Sequence, residues 1–345
     1  MLAGIDYENL LSTMSPSANP TTTPPGPDQI QLVRIGHVYY THKDFHRAHS
    51  FLQAFGLTEV KRLNAGQPNE KIYYRGYGTE PWLYCSSKGE HDEFGGAAFV
   101  VESRKDLETA TRVVPNASKI YALADAPGGG ECVTVRDPLD GFPVHLVYGQ
   151  TQREMTEDYE ERAFNFPNQK HRPVNQVQRF HKGPAKVHKL GHFGMCVTNF
   201  AESLAFWTKH FNFKPSDLLH TPDGRDITTF MHLDRGLAFV DHHCFFIFQC
   251  PKSHVHHSSF EVFDFDTQVI GHDWLTKQGY ENCWGVGRHI LGSQIFDYWF
   301  DTSRFILEHY VDGDLVNCET PINRDVASPN GLHIWGPDLP PTFMQ

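Results

Sequence analysis

The pattern of apolar and polar residues along the chain repeats once. An apolar stretch typical of a β-strand carries Ile35–Val38, and a similar stretch 155 residues later carries Leu190–Phe193. Asp44 follows the first stretch and Asn199 follows the second, and both residue types are favoured at the N-terminus of a helix. Glu202 completes a pattern that resembles a capping box, and apolar residues follow at helical spacing. We therefore predict that each half begins with a strand and an amphipathic helix.

Further alternating or aromatic-rich runs follow each helix, and Gly, Pro or Asp residues interrupt them, as expected for β-strands. The runs are Lys71–Tyr77, Trp82–Ser86 and Ala97–Val101 in the first half, and Asp226–Leu233, Cys244–Gln249 and Ser258–Phe263 in the second. A second helix is predicted in each half, around Lys105–Val114 and Asp266–Gln278. Each half then ends with a strand pair, at Cys132–Arg136 with Val144–Tyr148 and at Ser293–Phe300 with Arg304–Tyr310. The order within a half is βαβββ, twice over, which predicts an α+β fold.

The composition also divides the chain into segments. Residues 15–28 are rich in Pro, Ser and Thr, which favours an extended linker, and a short helix is predicted before them at Tyr7–Met14. Folded structure is expected to begin near Ile30. The predicted segments are a flexible N-terminal arm at 1–29, an N-terminal domain at 30–150, an interdomain connection at 151–186, a C-terminal domain at 187–318 and a Pro-rich tail at 319–345.

Composition and charge restrict the class of protein. The chain has 345 residues, of which 39% are hydrophobic and 21% are charged, as in ordinary globular proteins. A formal net charge of −11 argues against nucleic acid as the main partner, and no apolar run approaches the ~20 residues of a membrane span. The seven cysteines are scattered and no secretory signal is recognised, so free thiols and a cytoplasmic location are expected.

The 22 histidines raise the question of metal or acid–base chemistry, and spacing selects two of them with one carboxylate. His192 lies in the first strand of the second half, His257 in an alternating run, and Glu308 in the last predicted strand. Alternation places His257 on one face of its strand and His256 on the other. Two imidazoles and one carboxylate match the facial triad of non-haem Fe(II) enzymes, and a divalent cation would compensate a buried Glu308. From spacing alone, the alternative stays open that these are ordinary strand residues, with Glu308 paired to a Lys or an Arg.

Five segments of the chain carry motifs in a fixed order: Leu190–Phe193, Asp241–Phe246, His256–Val262, Gly287–His289 with Tyr298, and Phe305–Tyr310. The first, third and fifth resemble the three metal-ligand strands of type I extradiol ring-cleaving dioxygenases, which are catechol 2,3-dioxygenase-like members of the vicinal oxygen chelate superfamily. The second resembles the strand with the family's active-site histidine, and the fourth resembles its Gly-Arg-His segment and active-site tyrosine. With a similar tail at Trp335–Pro341, the resemblance spans roughly residues 30–343.

The resemblance implies the architecture of both halves. Each domain would contain two βαβββ modules, so that two similar domains each form a curved mixed sheet with outer helices. In the first half His37 matches the first histidine ligand and His145 matches the carboxylate, but the middle position falls near Gly95 or Gly96. We therefore expect the first half to be a structural copy without metal. The rival interpretation is a second metal site at His37 and His145.

For the second half, the resemblance implies a ring-cleaving reaction. Fe(II), with Mn(II) as the alternative metal, would be held by His192, His257 and Glu308. Both atoms of O2 would be inserted into a catechol-type aromatic diol, and the ring would open outside the diol. His243 would stabilise bound oxygen and transfer protons, unless its neighbour His242 is the one that points inward.

The resemblance also assigns His289 and Tyr298 to hydrogen bonds with a substrate oxygen. Many relatives carry an acidic residue shortly after that histidine, whereas Ile290–Gly292 follows here, so the preferred catechol stays open. The alternatives are a glyoxalase-type metal-dependent lyase or isomerase on the same fold, and a non-catalytic protein that binds an aromatic ligand. We expect a small-molecule catechol-type substrate and O2 as partners, no nucleic acid or membrane partner, and a homo-oligomer.

Overall fold

The computed structural model describes residues 26, 28–155, 162–328 and 331–344. The helix predicted at Tyr7–Met14 lies outside these residues. No helix in the described ranges is long and apolar enough to cross a membrane. All seven cysteines are free and buried, which confirms the prediction of free thiols.

The first half of the chain forms one mixed sheet, which contains the predicted strands and two others, at Thr58–Leu63 and Tyr121–Ala122, that the sequence runs did not predict. Its elements are β1 (Leu32–His42), α1 (Phe45–Ala54), β2 (Thr58–Leu63), β3 (Lys71–Arg75), β4 (Tyr84–Lys88), β5 (Glu93–Val101), α2 (Arg104–Val113), β6 (Tyr121–Ala122), β7 (Glu131–Arg136) and β8 (Pro143–Tyr148). The eight strands lie in the order β2-β3-β4-β1-β5-β8-β7-β6. At the centre β1 and β5 pair antiparallel, while β4 joins β1 and β8 joins β5 in parallel. The half therefore consists of two βαβββ modules.

The second half repeats this arrangement and gains two edge strands. Its elements are β9 (Val187–Val197), α3 (Phe200–His210), β10 (Phe213–His220), β11 (Asp226–Leu233), β12 (Val240–Asp241), β13 (Phe245–Gln249), β14 (His254–Val262), α4 (Phe265–Lys277), β15 (Asn282–His289), β16 (Ile295–Phe300), β17 (Ile306–Val311), β18 (Leu315–Val316), β19 (Asn323–Val326), β20 (His333–Trp335) and a 3-10 helix (Pro341–Met344). Ten strands form a sheet in the order β19-β10-β11-β13-β9-β14-β17-β16-β15-β20, and β12 pairs separately with β18. The α+β fold with two curved mixed sheets is therefore confirmed.

The first helix of each half begins at the capping residue that the sequence predicts. The Asp44 side chain accepts a hydrogen bond from the Arg47 backbone N–H at the start of α1. Asn199 accepts one from the Glu202 backbone N–H, and its side-chain amide donates to the Glu202 carboxylate. These bonds fix the start of α3, whose apolar face buries Trp207 in the core.

The Pro-rich tail is built into the edges of the second sheet. β19 adds to β10 in parallel and β20 adds to β15 antiparallel, so the tail supplies one strand at each edge. The two strands have only four and three residues, which is too short for alternation in the sequence to reveal them. The tail therefore completes both edges of the second sheet.

The two sheets pack against each other through buried side chains near the centre of each half. The ring of Phe55, just after α1, stacks on His309 of β17 with 3.7 Å between centroids, and its carbonyl oxygen accepts a hydrogen bond from His309 Nε2 at 2.7 Å. The Tyr40 hydroxyl lies 2.7 Å from Ser258 Oγ, which joins β1 to β14. His309 therefore points towards the first half, away from the Glu308 side chain, as alternation predicts.

Candidate metal centre and adjoining cavity

Three adjacent strands at the centre of the second sheet bring the predicted metal ligands together. In β9, β14 and β17, His192 pairs with Ser259, and Ser259 pairs with Glu308. His192 Nε2 lies 3.1 Å from His257 Nε2 and 3.2 Å from Glu308 Oε2, and His257 Nε2 lies 3.5 Å from the same oxygen. In the part of the chain that the structure describes, no other group of three or more His, Cys, Asp or Glu side chains has potential ligand atoms this close together.

The carboxylate of Glu308 is buried and lacks a hydrogen bond. Its residue is 0% exposed, and neither carboxylate oxygen has a hydrogen-bond partner among the described residues. Burial lowers the pKa of His257 well below its usual value, so this imidazole is neutral and can offer a lone pair. An unpaired buried carboxylate costs free energy that a divalent cation would offset. The two imidazoles and the carboxylate are therefore chemically suited to hold a metal ion.

Of the two neighbouring histidines, His243 faces these side chains and His242 lies behind it. The ring centroid of His243 is 4.1 Å from that of His192, and burial lowers the pKa of His243 well below its usual value. His242 Nε2 lies 2.9 Å from Asp217 Oδ2, and its Nδ1 lies 3.1 Å from His243 Nδ1. A neutral His243 imidazole therefore stands beside the candidate metal position.

His289 and Tyr298 form a hydrogen-bonded pair beside His257. The Tyr298 hydroxyl lies 2.8 Å from His289 Nε2, and its ring centroid is 5.0 Å from that of His257. His289 Nδ1 lies 2.8 Å from the Leu332 carbonyl oxygen, which can only accept, so Nδ1 carries the proton. Burial lowers the pKa of His289 and raises the pKa of Tyr298 well above its usual value. The neutral phenol therefore donates to His289 Nε2.

His256 lies on the same side of β14 as His257, and the prediction that alternation separates them is wrong. The pairing of β14 with β9 shifts register between Val255 and His257, which marks a β-bulge. The extra residue interrupts strict alternation, so His256 lines the same cavity, with its Nδ1 2.9 Å from His257 Nδ1. Nothing in the local sequence marks this bulge, because it arises from pairing with a distant strand.

A largely apolar cavity of about 280 Å³ adjoins these side chains. The polar part of its wall includes His192, His243, His256, His257, His289 and Tyr298. Most of the remaining wall is aliphatic or aromatic, with Phe230, Phe246 and Trp284 among the larger side chains. The tail adds Leu339 and Phe343, which the irregular spacing of a Pro-rich segment does not predict. Two of the three candidate ligands, His192 and His257, thus lie at the wall of a space that suits an apolar ring.

A comparison with protein families agrees with this arrangement. Residues 189–308 match the family model described as the Glyoxalase/Bleomycin resistance protein/Dioxygenase superfamily. This part of the chain is a domain of that superfamily. The superfamily domain contains all three candidate ligands, and the superfamily predicted from the sequence motifs is confirmed.

Relatives of the chain include proteins named as ring-cleaving dioxygenases. Metapyrocatechase 2 from Cupriavidus necator is 28% identical over 172 residues, which cover 50% of this chain and 50% of that protein. Biphenyl-2,3-diol 1,2-dioxygenase from Paraburkholderia xenovorans is 26% identical over 266 residues, which cover 74% of this chain and 79% of that protein. The chain therefore matches half the length of the first relative and more than two thirds of the second.

Solved structures share the fold of the superfamily domain and of the half that precedes it. The Mn(II)-bound glyoxalase from Novosphingobium aromaticivorans aligns with a TM-score of 0.74 at 21% identity and covers 91% of this chain and 94% of that one. Homoprotocatechuate 2,3-dioxygenase from Brevibacterium fuscum aligns with a TM-score of 0.73 at 17% identity and covers 94% of this chain and 95% of that one. Both alignments include the two halves, as expected for the two-domain vicinal oxygen chelate fold.

Proposed function

We propose that the protein is an extradiol ring-cleaving dioxygenase, which inserts both atoms of O2 into a catechol-type aromatic diol at a non-haem Fe(II). The observation that carries the proposal is the buried carboxylate of Glu308, which lacks a hydrogen bond and meets His192 and His257, two side chains that line an apolar cavity. The relatives named metapyrocatechase 2 and biphenyl-2,3-diol 1,2-dioxygenase support this reaction class. Mn(II) is the alternative metal, and a protein of similar fold is named as Mn(II)-bound.

The two imidazoles and the carboxylate would hold the ion, and the cavity would hold the diol. A bound Fe(II) would supply Lewis-acid and redox chemistry for the reaction of the diol with O2, so that no external reductant is needed. His192 and His257 line the cavity, so a ring bound there lies beside them. The apolar wall would exclude water and limit the orientations of the ring, which brings the reacting atoms together.

His243 would transfer protons in this reaction. Its imidazole is neutral, lines the cavity and stands beside His192. A neutral imidazole can accept a proton from a diol hydroxyl and later return it to the ring-opened product. The contact with His242, which in turn contacts Asp217, would keep the His243 ring in place.

Tyr298 and His289 would hold a substrate oxygen on the other side of His257. Both side chains line the cavity, and the phenol donates to His289 Nε2. If a diol hydroxyl donates to His289 instead, the phenol becomes available to donate to the neighbouring diol oxygen. This exchange of hydrogen-bond partners would favour binding of the catechol as a monoanion, which has lost one proton.

The organisation of the chain forms part of the proposal. Residues 30–150 would be a domain without metal, 151–186 the connection, and 187–318 the catalytic domain, preceded by a flexible arm at 1–29 and followed by the tail at 319–345. The protein would act in the cytoplasm as a homo-oligomer. Analytical ultracentrifugation and limited proteolysis test the oligomer and the boundaries.

Anaerobic loading of the purified protein with Fe(II) tests the reaction. O2 uptake and absorbance are then measured over a panel of catechols, with Mn(II), Ni(II) and Zn(II) samples in parallel. We expect O2 consumption equimolar with the diol, and a yellow product of the muconic semialdehyde type. Turnover without O2 in Ni(II) or Zn(II) samples would support a glyoxalase-type lyase or isomerase instead. Binding of the diol without turnover under any metal would support a non-catalytic protein.

A further inference from the structure

The cavity wall carries no charged side chain among the residues that the structure describes. No Lys, Arg, Asp or Glu lines it, and its polar groups other than the histidines and Tyr298 are the neutral side chains of Thr228, Gln294 and Ser328. A neutral polar group can hydrogen-bond a carboxylate but does not compensate its charge. An anionic substituent on the substrate would therefore lose its hydration in this cavity without an ion-pair partner.

Two arginines that lie close in sequence to the wall, Arg288 and Arg324, are engaged elsewhere. Arg288, at the end of β15, donates to the Ser293 carbonyl oxygen at 2.7 Å and to the Asp312 carboxylate at 2.8 Å. Arg324, in the edge strand β19, donates to the Asp226 carboxylate at 2.8 Å. Neither guanidinium belongs to the cavity wall. Each is neutralised by an aspartate, so neither is available to a carboxylate in the cavity.

Two histidines of the wall are also committed to protein partners. His243 contacts His242 through Nδ1, and His289 is held between the Leu332 carbonyl oxygen and the Tyr298 hydroxyl. These contacts fix the orientation of both rings. A carboxylate that binds at His289 would have to break one of its two hydrogen bonds.

The cavity is larger than an unsubstituted catechol ring requires. A cavity of ~150 Å³ is sufficient to hold benzene, whereas this one has a volume of about 280 Å³. Its apolar walls include Leu219, Phe248, Leu291, Leu339 and Phe343, which come from separate segments of the second half. The additional space therefore suits an aliphatic or aromatic group, which would gain free energy from the removal of apolar surface from water.

We propose that the substrate is a catechol with an uncharged, apolar substituent, such as a branched alkyl or phenyl group, and that the cavity rejects carboxylated catechols. This inference rests on the proposed function, because it takes the cavity as the place where the diol binds. It concerns binding, and it can therefore be tested separately from turnover.

Matched pairs of ligands test the preference directly. 4-Isopropylcatechol is compared with 3,4-dihydroxybenzoate, and 3-isopropylcatechol with 2,3-dihydroxybenzoate, because isopropyl and carboxylate groups are similar in size. Dissociation constants are measured by calorimetry on the metal-free protein and on anaerobic Fe(II)-loaded protein. We expect the isopropyl compound of at least one pair to bind at least ~100-fold more tightly than its carboxylated partner.

A charge placed in the wall should reverse part of this preference. Leu291 lines the cavity, whereas its neighbour Ile290 is 45% exposed and does not. Leu291→Arg should improve binding of the dihydroxybenzoates at least ~10-fold relative to the isopropyl catechols. The matched control Ile290→Arg adds the same charge outside the cavity and should change the ratio less than ~2-fold, allowing for screening by water.

The outcomes distinguish a failure of the proposed substrate preference from a failure of the proposed reaction. Equal affinities within both pairs, or tighter binding of the dihydroxybenzoates, would overturn the apolar preference even if O2 is consumed. The expected preference without O2 consumption would support the inference and contradict the proposed reaction. If no catechol binds metal-free or Fe(II)-loaded protein, the cavity is not a diol site and the inference fails. If Leu291→Arg does not fold, the ligand pairs on the unmodified protein decide.

Discussion

The inner faces of the two sheets can be compared residue by residue, because their central strands pair in the same register. The equivalent positions are His37 and His192 on the first strand, Ala98 and Ser259 on the middle strand, and His145 and Glu308 on the third. The first half therefore has one histidine at the position equivalent to His192 and a second histidine at the position equivalent to Glu308. The difference lies in what surrounds these positions.

The middle ligand is missing from the first half, and so is the space for it. Gly96 takes the place of His257, since Gly96 pairs with Tyr39 as His257 pairs with Gly194. Gly96 has a φ of +103°, and a Cβ at this position would overlap the Pro143 carbonyl oxygen. No side chain fits there without movement of the backbone.

Aromatic side chains fill the space in the first half that is open in the second. Two matching backbone hydrogen bonds align the strands at this point, from Val38 N–H to the Leu83 oxygen and from Phe193 N–H to the Cys244 oxygen. They place Trp82 where the second half has His243. Trp82 stacks on His37 with 3.5 Å between ring centroids, and Tyr39 packs against its edge at 5.2 Å.

The comparison shows that two conditions distinguish the halves, a complete ligand set and an open cavity beside it. The first half meets neither condition, because Gly96 removes a ligand and Trp82 fills the volume. Restoring one feature alone should therefore not create a metal site. Removing either feature from the second half should abolish the proposed turnover.

The largest expected effect follows from removal of the carboxylate in the second half. Glu308→Ala leaves two imidazoles, so iron affinity should fall more than ~100-fold and turnover should be lost. Metal content after dialysis and O2 uptake measure the two effects. The matched control is His37→Ala, in the same register in the first half, which should retain iron and turnover. Iron retained by Glu308→Ala, or lost by His37→Ala, would contradict the assignment of the halves.

Exchange of the filling residues should have the next largest effect. His243→Trp places the bulk of Trp82 in the second half and removes the proposed proton-transfer group, so turnover should fall ~10²–10⁴-fold while iron is retained. The reciprocal Trp82→His variant should open the first half without any gain of iron, because Gly96 still supplies no ligand. Metal content and O2 uptake are measured on both variants. A His243→Trp protein with normal turnover would exclude His243 from the reaction.

The order of elements was predictable from local sequence, whereas the superfamily and the meeting of His192 with Glu308 were expected only from the resemblance of five segments in a fixed order. Caps such as Asp44 depend on neighbouring residues, and burial of strands leaves an alternation that can be read directly. The same offset of 155 residues relates His37 to His192 and Asp44 to Asn199, which also indicates that the chain repeats. These features depend on a few adjacent positions, which the sequence displays.

Features that depend on distant segments were not predictable in the same way. The orientation of His256 results from a bulge in the pairing of β14 with β9. The equivalence of Trp82 and His243 is hidden because 45 residues separate His37 from Trp82, whereas 51 separate His192 from His243. The contribution of Phe343 to the cavity depends on the path of a Pro-rich tail. Prediction of each of these three features requires knowledge of which distant segments meet in the fold.

Grafting the missing ligand into the first half should destabilise the protein without creating a metal site. Gly96→His introduces a side chain at positive φ and against backbone, so the free energy of unfolding should fall by ~2 kcal/mol or more. The matched control is Gly66→His, since Gly66 also has a positive φ, +75°, but a Cβ there meets nothing within 4 Å. Urea unfolding and metal content are measured on both. A stable Gly96→His protein that binds a second iron would overturn the comparison.

The smallest expected effect concerns the contact between the halves. Burial lowers the pKa of His309 from 6.5 to about 3. Below pH ~6.5 the unfolded chain binds a proton at His309 that the folded protein does not bind, so the free energy of unfolding falls as the pH is lowered towards ~3. The stabilisation linked to the neutral His309 is therefore present above the pKa that His309 has in the unfolded chain, and it is lost progressively below that pKa.

His309→Gln tests this linkage because Gln can still donate to the Phe55 carbonyl oxygen but does not titrate. Between about pH 6 and 4, the dependence of the unfolding free energy on pH should weaken by up to ~1.4 kcal/mol per pH unit relative to the unmodified protein. Urea unfolding at several pH values measures it, and the exposed His91→Gln variant shows whether a His-to-Gln exchange alone has an effect. If His309→Gln leaves the pH dependence unchanged, His309 is already protonated in the folded protein. The buried contact between the two halves would then carry a charge, and the two sheets would be joined by a charge-assisted hydrogen bond to Phe55.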